Sequence, residues 1–148
     1  MRALRSLSSL ETGDLFTYSI VVVDNDRDNS AQEVVRATAS ETRIAIRYCV
    51  EPRQGIALAR NKAVENATGD FVAFLDDDEF PAPEWLLTLF RTIEEQKVDG
   101  VLGPVRPFFD KGAPRWVKEG GFYDRPEHKT GYALSWSCLL YTSDAADE

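Results

Sequence analysis

Four consecutive acidic residues, Asp76, Asp77, Asp78 and Glu79, directly follow an apolar run at residues 71–75. Adjacent ionised carboxylates repel one another, and a bound cation or several hydrogen bonds relieve that repulsion. Side chains alternate along an extended chain, so Asp76 and Asp78 are predicted to share one side while Asp77 faces away. Carboxylate oxygens suit hard divalent cations, which commonly bridge protein carboxylates and phosphates. We therefore predict Mg2+ or Mn2+ at Asp76 and Asp78, carrying a diphosphate, with a solvated acidic loop as the alternative.

A second acidic segment, containing Asp24 and Asp26, follows the β-branched run at residues 18–23. In open α/β sheets, ligands bind beyond the carboxyl ends of the strands. Both aspartates are therefore candidate ligand-binding residues. Helix capping or turn formation is the alternative, because aspartate favours those roles as well.

A loop and the helix predicted after it offer groups that bind anions. Arg53 and Gly55 belong to the loop, and Arg60 and Asn61 follow one turn into the helix. Backbone N–H groups at a helix N terminus and guanidinium groups both favour phosphate. We predict that these residues hold phosphate or ribose, and the alternative is that the two arginines pair with surface acids.

Apolar runs alternate with helical patterns along the chain, which is typical of βα units and predicts an α/β fold with a mainly parallel sheet. The predicted strands are residues 18–23, 43–50, 71–75 and 101–102. Helical patterns start near residues 4, 30, 55 and 83, and the second of them opens with a Ser30/Glu33 capping box and ends near Ala39. Residues 107–131 have no clean period and predict a long ordered loop.

The composition is that of an ordinary globular protein, with 43% hydrophobic and 28% charged residues in a chain of 148. This length suits one domain. A net charge of -8 disfavours nucleic acid as a partner, because it repels a phosphate backbone. The two cysteines cannot build a four-cysteine zinc site. The small number of cysteines fits a reducing compartment, and the chain has neither an apolar run long enough to span a membrane nor the long apolar segment of a secretory signal at its start, so a soluble, cytoplasmic chain is predicted.

Both ends of the chain are predicted to be unusual. Residues 138–148, CLLYTSDAADE, resemble the read-through translation of a sequencing-library adapter, which makes them a non-native tail after a domain at residues 1–137. At the other end, Leu4, Leu7 and Leu10 recur at helical spacing from the first residues. We therefore expect the chain to begin inside an element and the domain to be truncated at both ends.

Four segments together resemble glycosyltransferase family 2: VVVDND at 21–26, GIALARNKAV at 55–64, GDFVAFLDDDEFPAPEWL at 69–86 and GVLGPV at 100–105. The resemblance implies a Rossmann-like GT-A fold, incomplete in this chain, with Mg2+ or Mn2+ as cofactor. It implies a nucleotide-diphosphate sugar as donor and a saccharide, a lipid-linked molecule or another hydroxyl compound as acceptor. A further implication is that the full-length protein lies in the cytoplasm or at the inner face of the membrane.

The resemblance also assigns roles to individual residues. It places Asp24 at the nucleotide base, Arg60 and Asn61 near the nucleotide, Asp76 near the ribose and Asp78 on the metal. The whole predicted nucleotide-sugar-binding set is Asp24, Asp26, Arg53, Gly55, Arg60, Asn61, Asp76 and Asp77, and the predicted metal ligands are Asp78 and Asp76.

Two parts of the family pattern are missing from these residues. The family usually opens with a strand before the helix that matches residues 1–10, and its general base, an Asp or Glu, follows the region of residues 130–131. We therefore expect the catalytic base to lie outside this chain, and the chain itself to be inactive in transfer.

Two other functions fit parts of the sequence. A Mg-dependent aspartate-nucleophile phosphatase fits FLDDDE, an apolar strand that ends in D-x-D, although such enzymes usually place that strand first. A phosphoacceptor receiver module fits the pair of acidic strand ends, although the lysine that it needs after a late strand is not present at residues 104–106.

Overall fold

A computed structural model of the chain describes residues 2–123 and 125–133. The predicted tail at residues 138–148 lies outside the described residues. The chain divides into two compact units, Met1–Thr88 and Leu89–Glu148. The elements are, in order, α1 (Arg2–Leu7), β1 (Ile20–Asp24), α2 (Gln32–Glu41), β2 (Ile46–Val50), α3 (Ile56–Asn66), α4 (Trp85–Gln96) and α5 (Arg115–Glu119).

In the first unit, β1 and β2 pair in parallel, with Ile20 opposite Ile46 and Asp24 opposite Val50. Parallel strands need a crossover connection, and α2 supplies it. Both predicted strands are confirmed, although each begins later than predicted and β1 extends to Asp24. As a result, the residues that follow the two strands lie side by side at one end of the sheet.

The core of this unit is formed by Leu4 of α1, Ile20 of β1 and Val35 of α2, each at most 9% exposed. The helix predicted from the leucine spacing is therefore confirmed, and Leu10 is buried just beyond its end. Helix α3 lies against β1 but has no buried residue of its own. Helix α3 therefore contributes no buried residue to the core, and many of its side chains are exposed.

The strand predicted at residues 71–75 is wrong. These residues precede the acidic segment, but they lie outside the sheet, which has two strands among the described residues. Phe71 and Phe74 are 54% and 49% exposed. A strand requires a neighbour that completes its hydrogen-bond ladder, and an apolar sequence does not by itself provide one.

The second unit departs from prediction in two places. Leu102 is 63% exposed and the segment 101–102 is not a strand. The predicted loop at residues 107–131 contains the short helix α5, which directly follows Pro114. An ion pair of 2.8 Å joins Arg115 and Glu119 at the two ends of this helix. Proline is tolerated at a helix start, and side chains four residues apart face each other on a helix.

Helix α4 is confirmed at the position that its apolar spacing predicts. Helix α3 also agrees with its prediction and ends at Asn66, just before Thr68 and Gly69. Helix α2 begins two residues after Ser30 and ends two residues after Ala39. In the part of the chain that the structure describes, no helix is both long and apolar enough to cross a membrane.

Candidate functional site

Asp24 lies at the carboxyl end of β1 and is only 5% exposed. Its Oδ1 accepts a hydrogen bond from the backbone N–H of Asp26 at 3.0 Å. Its Oδ2 accepts two, from the backbone N–H of Ala31 at 3.0 Å and from the Tyr48 hydroxyl at 2.8 Å. The carboxylate therefore organises the turn after β1 and the start of α2, which is the capping and turn alternative left open by the sequence.

These contacts offset the effect of burial on the ionisation of Asp24. Burial raises the pKa of the Asp24 carboxyl, but the hydrogen bonds from Asp26, Tyr48 and Ala31 together outweigh burial and hold that pKa below its ordinary value. Burial and the Asp24 carboxylate raise the pKa of Tyr48 to about 12. Asp24 is thus a carboxylate and Tyr48 a neutral donor across the physiological pH range.

The capping box predicted at Ser30 and Glu33 is wrong. Helix α2 has Ala31 at its N-cap position, with no side-chain hydrogen bond capping it. The Ser30 hydroxyl instead bonds to Asp26, and this hydrogen bond is the main cause of the lowered pKa of Asp26. The backbone N–H of Ala31 instead donates to the side chain of Asp24, seven residues earlier in the chain.

Asn25 joins the end of β1 to the loop between β2 and α3. Its Nδ2 donates to the carbonyl oxygens of Glu51 at 2.7 Å and Arg53 at 2.8 Å. Its Oδ1 accepts from the backbone N–H of Gly55 at 2.9 Å. Sequence reasoning missed both Asn25 and Tyr48. An amide placed between two candidate aspartates was the available signal for Asn25, and the alternation of Tyr48 with Ile44 and Ile46 was the signal for Tyr48.

Arg53 does not extend freely into solvent. The Glu51 side chain, 7% exposed, accepts from Arg53 Nε at 3.0 Å, from Nη2 at 3.3 Å and from the backbone N–H at 3.1 Å. The hydrogen bonds from Arg53 lower the pKa of Glu51, and in return they raise the pKa of Arg53. The pairing alternative therefore describes Arg53 in this structure, although its guanidinium remains at the surface.

Arg60 connects α3 to the acidic segment. Its Nη2 lies 3.3 Å from Asp76 Oδ1, and both side chains are about half exposed. The Arg60 guanidinium also lies 5.9 Å from the centre of the Phe74 ring. Asn61, the next residue of α3, is exposed. Gly55 precedes the helix, so Arg60 stands about 7.5 Å further along its axis.

The acidic segment forms a turn rather than an extended chain. The Glu79 N–H donates to the Asp76 carbonyl at 3.2 Å, and the Asp76 N–H donates to Glu79 Oε2 at 3.2 Å. Asp77 and Asp78 occupy the two central positions of this turn. The extended geometry from which we predicted alternation at Asp76 and Asp78 is therefore wrong, because two reciprocal hydrogen bonds fold the backbone back.

The donor set of this turn can still be compared with the predicted cation. Asp76, Asp77 and Asp78 are exposed and offer only carboxylate oxygen, which is the chemistry that Mg2+ and Mn2+ prefer. Across residues 2–123 and 125–133, no three His, Cys, Asp or Glu side chains gather into a metal-binding group. Asp76 and Asp78 would supply one or two carboxylate ligands to such a cation, which commonly completes its shell with phosphate and water.

Comparison with known proteins identifies a family over nearly the whole chain. The family model described as Glycosyl transferase family 2 matches residues 2–144. The chain is 38% identical over 149 aligned residues to the succinoglycan biosynthesis protein ExoM of Rhizobium meliloti (strain 1021), an alignment that covers 97% of this chain and 47% of ExoM. No solved structure gives a significant match.

More distant relatives share shorter regions. The glycosyltransferase GlyA of Streptococcus pneumoniae serotype 4 is 28% identical over 80% of this chain and 16% of its own length. The glycosyltransferase AglE of Haloferax volcanii is 32% identical over 64% of this chain and 31% of its own length. The chain therefore spans less than half the length of each of these three relatives.

Proposed function

The chain belongs to glycosyl transferase family 2, and on that premise we propose that it binds a nucleotide-diphosphate sugar together with Mg2+ or Mn2+ at the carboxyl ends of β1 and β2. Family membership implies a nucleotide-sugar donor and an acceptor. The proposed reaction is direct displacement at the anomeric carbon by an acceptor hydroxyl on a saccharide, a lipid-linked molecule or another compound. When bound, the cation would neutralise the charge that develops on the departing diphosphate.

The contact between Arg60 and Asp76 carries this proposal. It joins α3, whose start Asn25 ties to the end of β1, with the acidic turn. The groups with affinity for the base, the phosphates and the cation thereby belong to one connected set within the first unit. An arrangement in which basic and acidic groups adjoin is what a metal-bound diphosphate requires.

The two arginines are expected to differ in how readily they engage phosphate. The Arg60–Asp76 pair is exposed, and exposed ion pairs contribute only about 0–1 kcal/mol, so Arg60 can exchange Asp76 for a phosphate at little cost. Asp76 then becomes available to the ribose or the cation. Arg53 is held by the buried Glu51 carboxylate through two guanidinium nitrogens, and if the guanidinium left, that carboxylate would keep only the hydrogen bond from the Arg53 backbone N–H. We propose that Arg60 moves to the phosphates while Arg53 stays and presents its exposed edge.

The remaining predicted residues fit around this set. Asp24 would accept a hydrogen bond from an N–H of the base on its Oδ1 atom. This oxygen accepts one hydrogen bond within the protein, from the Asp26 backbone N–H. Asp77 and Asp78 stand at the tip of the acidic turn, where Asp78 is the proposed metal ligand beside Asp76. The general base is proposed to lie outside this chain, so that the chain binds donor without transferring sugar.

The family match disfavours the two other functions considered from the sequence. A phosphatase and a receiver module were each supported by acidic strand ends alone. The match spans residues 2–144 and so includes the whole of both acidic segments. Sugar transfer therefore accounts for the same residues without the additional motifs that the other functions require.

Calorimetric titration of the chain with UDP, GDP, ADP, CDP and dTDP, with and without Mn2+, tests the proposal. At least one nucleoside diphosphate is expected to bind, and more tightly with Mn2+. Asp76→Asn is expected to weaken that binding about tenfold, since a charged contact contributes at least about 1.5 kcal/mol. Asp70→Asn, which changes an exposed carboxylate upstream of the turn, is the matched control and should leave affinity within about twofold. Absence of binding by every nucleotide would refute the proposal.

A further inference from the structure

Asn25 holds the loop that leads into α3 through its side chain, beside the backbone hydrogen bond that the Glu51 N–H donates to the Asp24 carbonyl at 2.9 Å. Its three hydrogen bonds reach Glu51, Arg53 and Gly55, which lie 26, 28 and 30 positions further along the chain. All three distances fall between 2.7 and 2.9 Å. A half-buried side chain on one strand end thus fixes every second residue of the opposite loop.

The chemistry of the amide group explains why one side chain can do this. The loop presents two carbonyl oxygens and one N–H toward Asn25, and a primary amide supplies two N–H donors and one oxygen acceptor. A carboxylate offers no donor, and a hydroxyl is too small to reach all three groups. The match between the amide and the loop is therefore complete in number and in kind.

The fixed groups include parts of the proposed phosphate site. Gly55 has φ +145° and immediately precedes α3, so its conformation sets where that helix begins. Arg53 carries its guanidinium on the same loop. If the loop moved, the start of α3 and the guanidinium would move with it, and misplacing binding groups by about 1 Å is enough to cost substantial affinity or rate.

We infer that Asn25 is a positioning residue of the nucleotide site, which holds Gly55 and Arg53 in the arrangement that receives the diphosphate. The inference rests on the proposed function. It assigns Asn25 no contact with substrate. Its effect passes through the loop at residues 51–55. Loss of the Asn25 side chain should therefore weaken nucleotide binding by the folded protein, and should not merely reduce the amount of folded protein.

Affinity measured on folded variants separates positioning from general stability. Asn25→Ala removes all three hydrogen bonds, and Asn25→Asp removes both donors while keeping an acceptor for Gly55. Val35→Ala is the matched control, because Val35 is 3% exposed in the core and its loss destabilises the unit without touching the loop. Each chain is titrated with Mn2+ and whichever nucleoside diphosphate binds wild type most tightly, at a temperature where thermal melts show it to be folded.

Both Asn25 variants are expected to raise the Kd about tenfold, and Val35→Ala to change it less than about twofold despite a lower Tm. Hydrogen exchange at the Gly55 amide should accelerate in Asn25→Ala and not in Val35→Ala. If Asn25→Ala fails to fold, Asn25→Asp carries the comparison. A wild-type chain that binds, with Asn25 variants that bind equally well, would overturn this inference alone. A wild-type chain that binds no nucleotide would overturn the proposed function and this role with it.

Discussion

Replacing Asp24 by Asn should destabilise the protein far more than its near-isosteric shape suggests. The wild-type carboxylate accepts three hydrogen bonds, from Asp26, Ala31 and Tyr48, and is 5% exposed. An amide has one oxygen, so its NH2 group must face at least one of these donors. Its best orientation keeps the oxygen toward Ala31 and Tyr48 and sets NH2 against the Asp26 N–H.

The expected cost follows from this orientation. The lost bond to a charged acceptor costs about 1.5–3 kcal/mol, and the two retained bonds weaken because they are no longer charge-assisted. Relief of carboxylate burial offsets part of the loss. We expect the free energy of unfolding to fall by about 2–4 kcal/mol near neutral pH.

The pH dependence provides a second test. The pKa of Asp24 is lowered in the folded state, so the stability that its ionised form contributes is fully present above the unfolded pKa of about 3.9 and is lost as pH falls through the folded pKa. The difference between wild type and Asp24→Asn should therefore be constant near neutral pH and shrink in acid.

Urea unfolding followed by far-ultraviolet circular dichroism measures both effects. Asp77→Asn is the control, since Asp77 is an exposed carboxylate and its loss should change stability by less than about 0.5 kcal/mol. Equal urea midpoints for the Asp24 and Asp77 variants would refute the stabilising role assigned to the buried Asp24 carboxylate. A stability difference between wild type and Asp24→Asn that grows in acid would refute it as well.

Two further predictions concern the same region. Gly55→Ala should lower the free energy of unfolding, measured by urea melts, by about 1–3 kcal/mol because φ at Gly55 is +145°. Gly100→Ala is the control and should not lower it, because an added Cβ there meets nothing within 4 Å. Equal effects of the two substitutions would count against backbone strain at Gly55. Tyr48→Phe should remove the tyrosine that titrates at about pH 12 in ultraviolet absorbance. Because the Tyr48 pKa is raised on folding, the contribution of Tyr48 to stability is present below about pH 10 and is lost as pH rises through the folded pKa. A difference in the free energy of unfolding between wild type and Tyr48→Phe that persists above the folded pKa would contradict the prediction.

The sequence predicted those helices and strands that depend on the spacing of apolar residues within a short segment. The β-branched run predicted β1, the apolar spacing of Trp85–Gln96 predicted α4, and the leucine spacing predicted α1. These patterns succeed because helix and strand periodicity determine which side chains share a face before any tertiary contact forms. The family that the comparison established was indicated separately, by the resemblance of four sequence segments.

Tertiary structure decided what depends on partners distant in sequence. Residues 71–75 have the composition of a strand but no place in the sheet, and the acidic segment folds into a turn through bonds between Asp76 and Glu79. The sequence left Arg53 and Arg60 between phosphate and acid partners, and the fold placed each beside an acid.

The same reason explains the residues that sequence reasoning overlooked. Tyr48 and Asn25 have ordinary sequence neighbours, and their roles exist only because parallel pairing brings the end of β1 beside β2 and the loop after it. A hydrogen bond needs its donor within about 3 Å of its acceptor, and over separations of 24 to 30 residues only the folded chain determines that distance. The chemistry of each side chain was set by the sequence alone, while its partner was set by the path of the backbone.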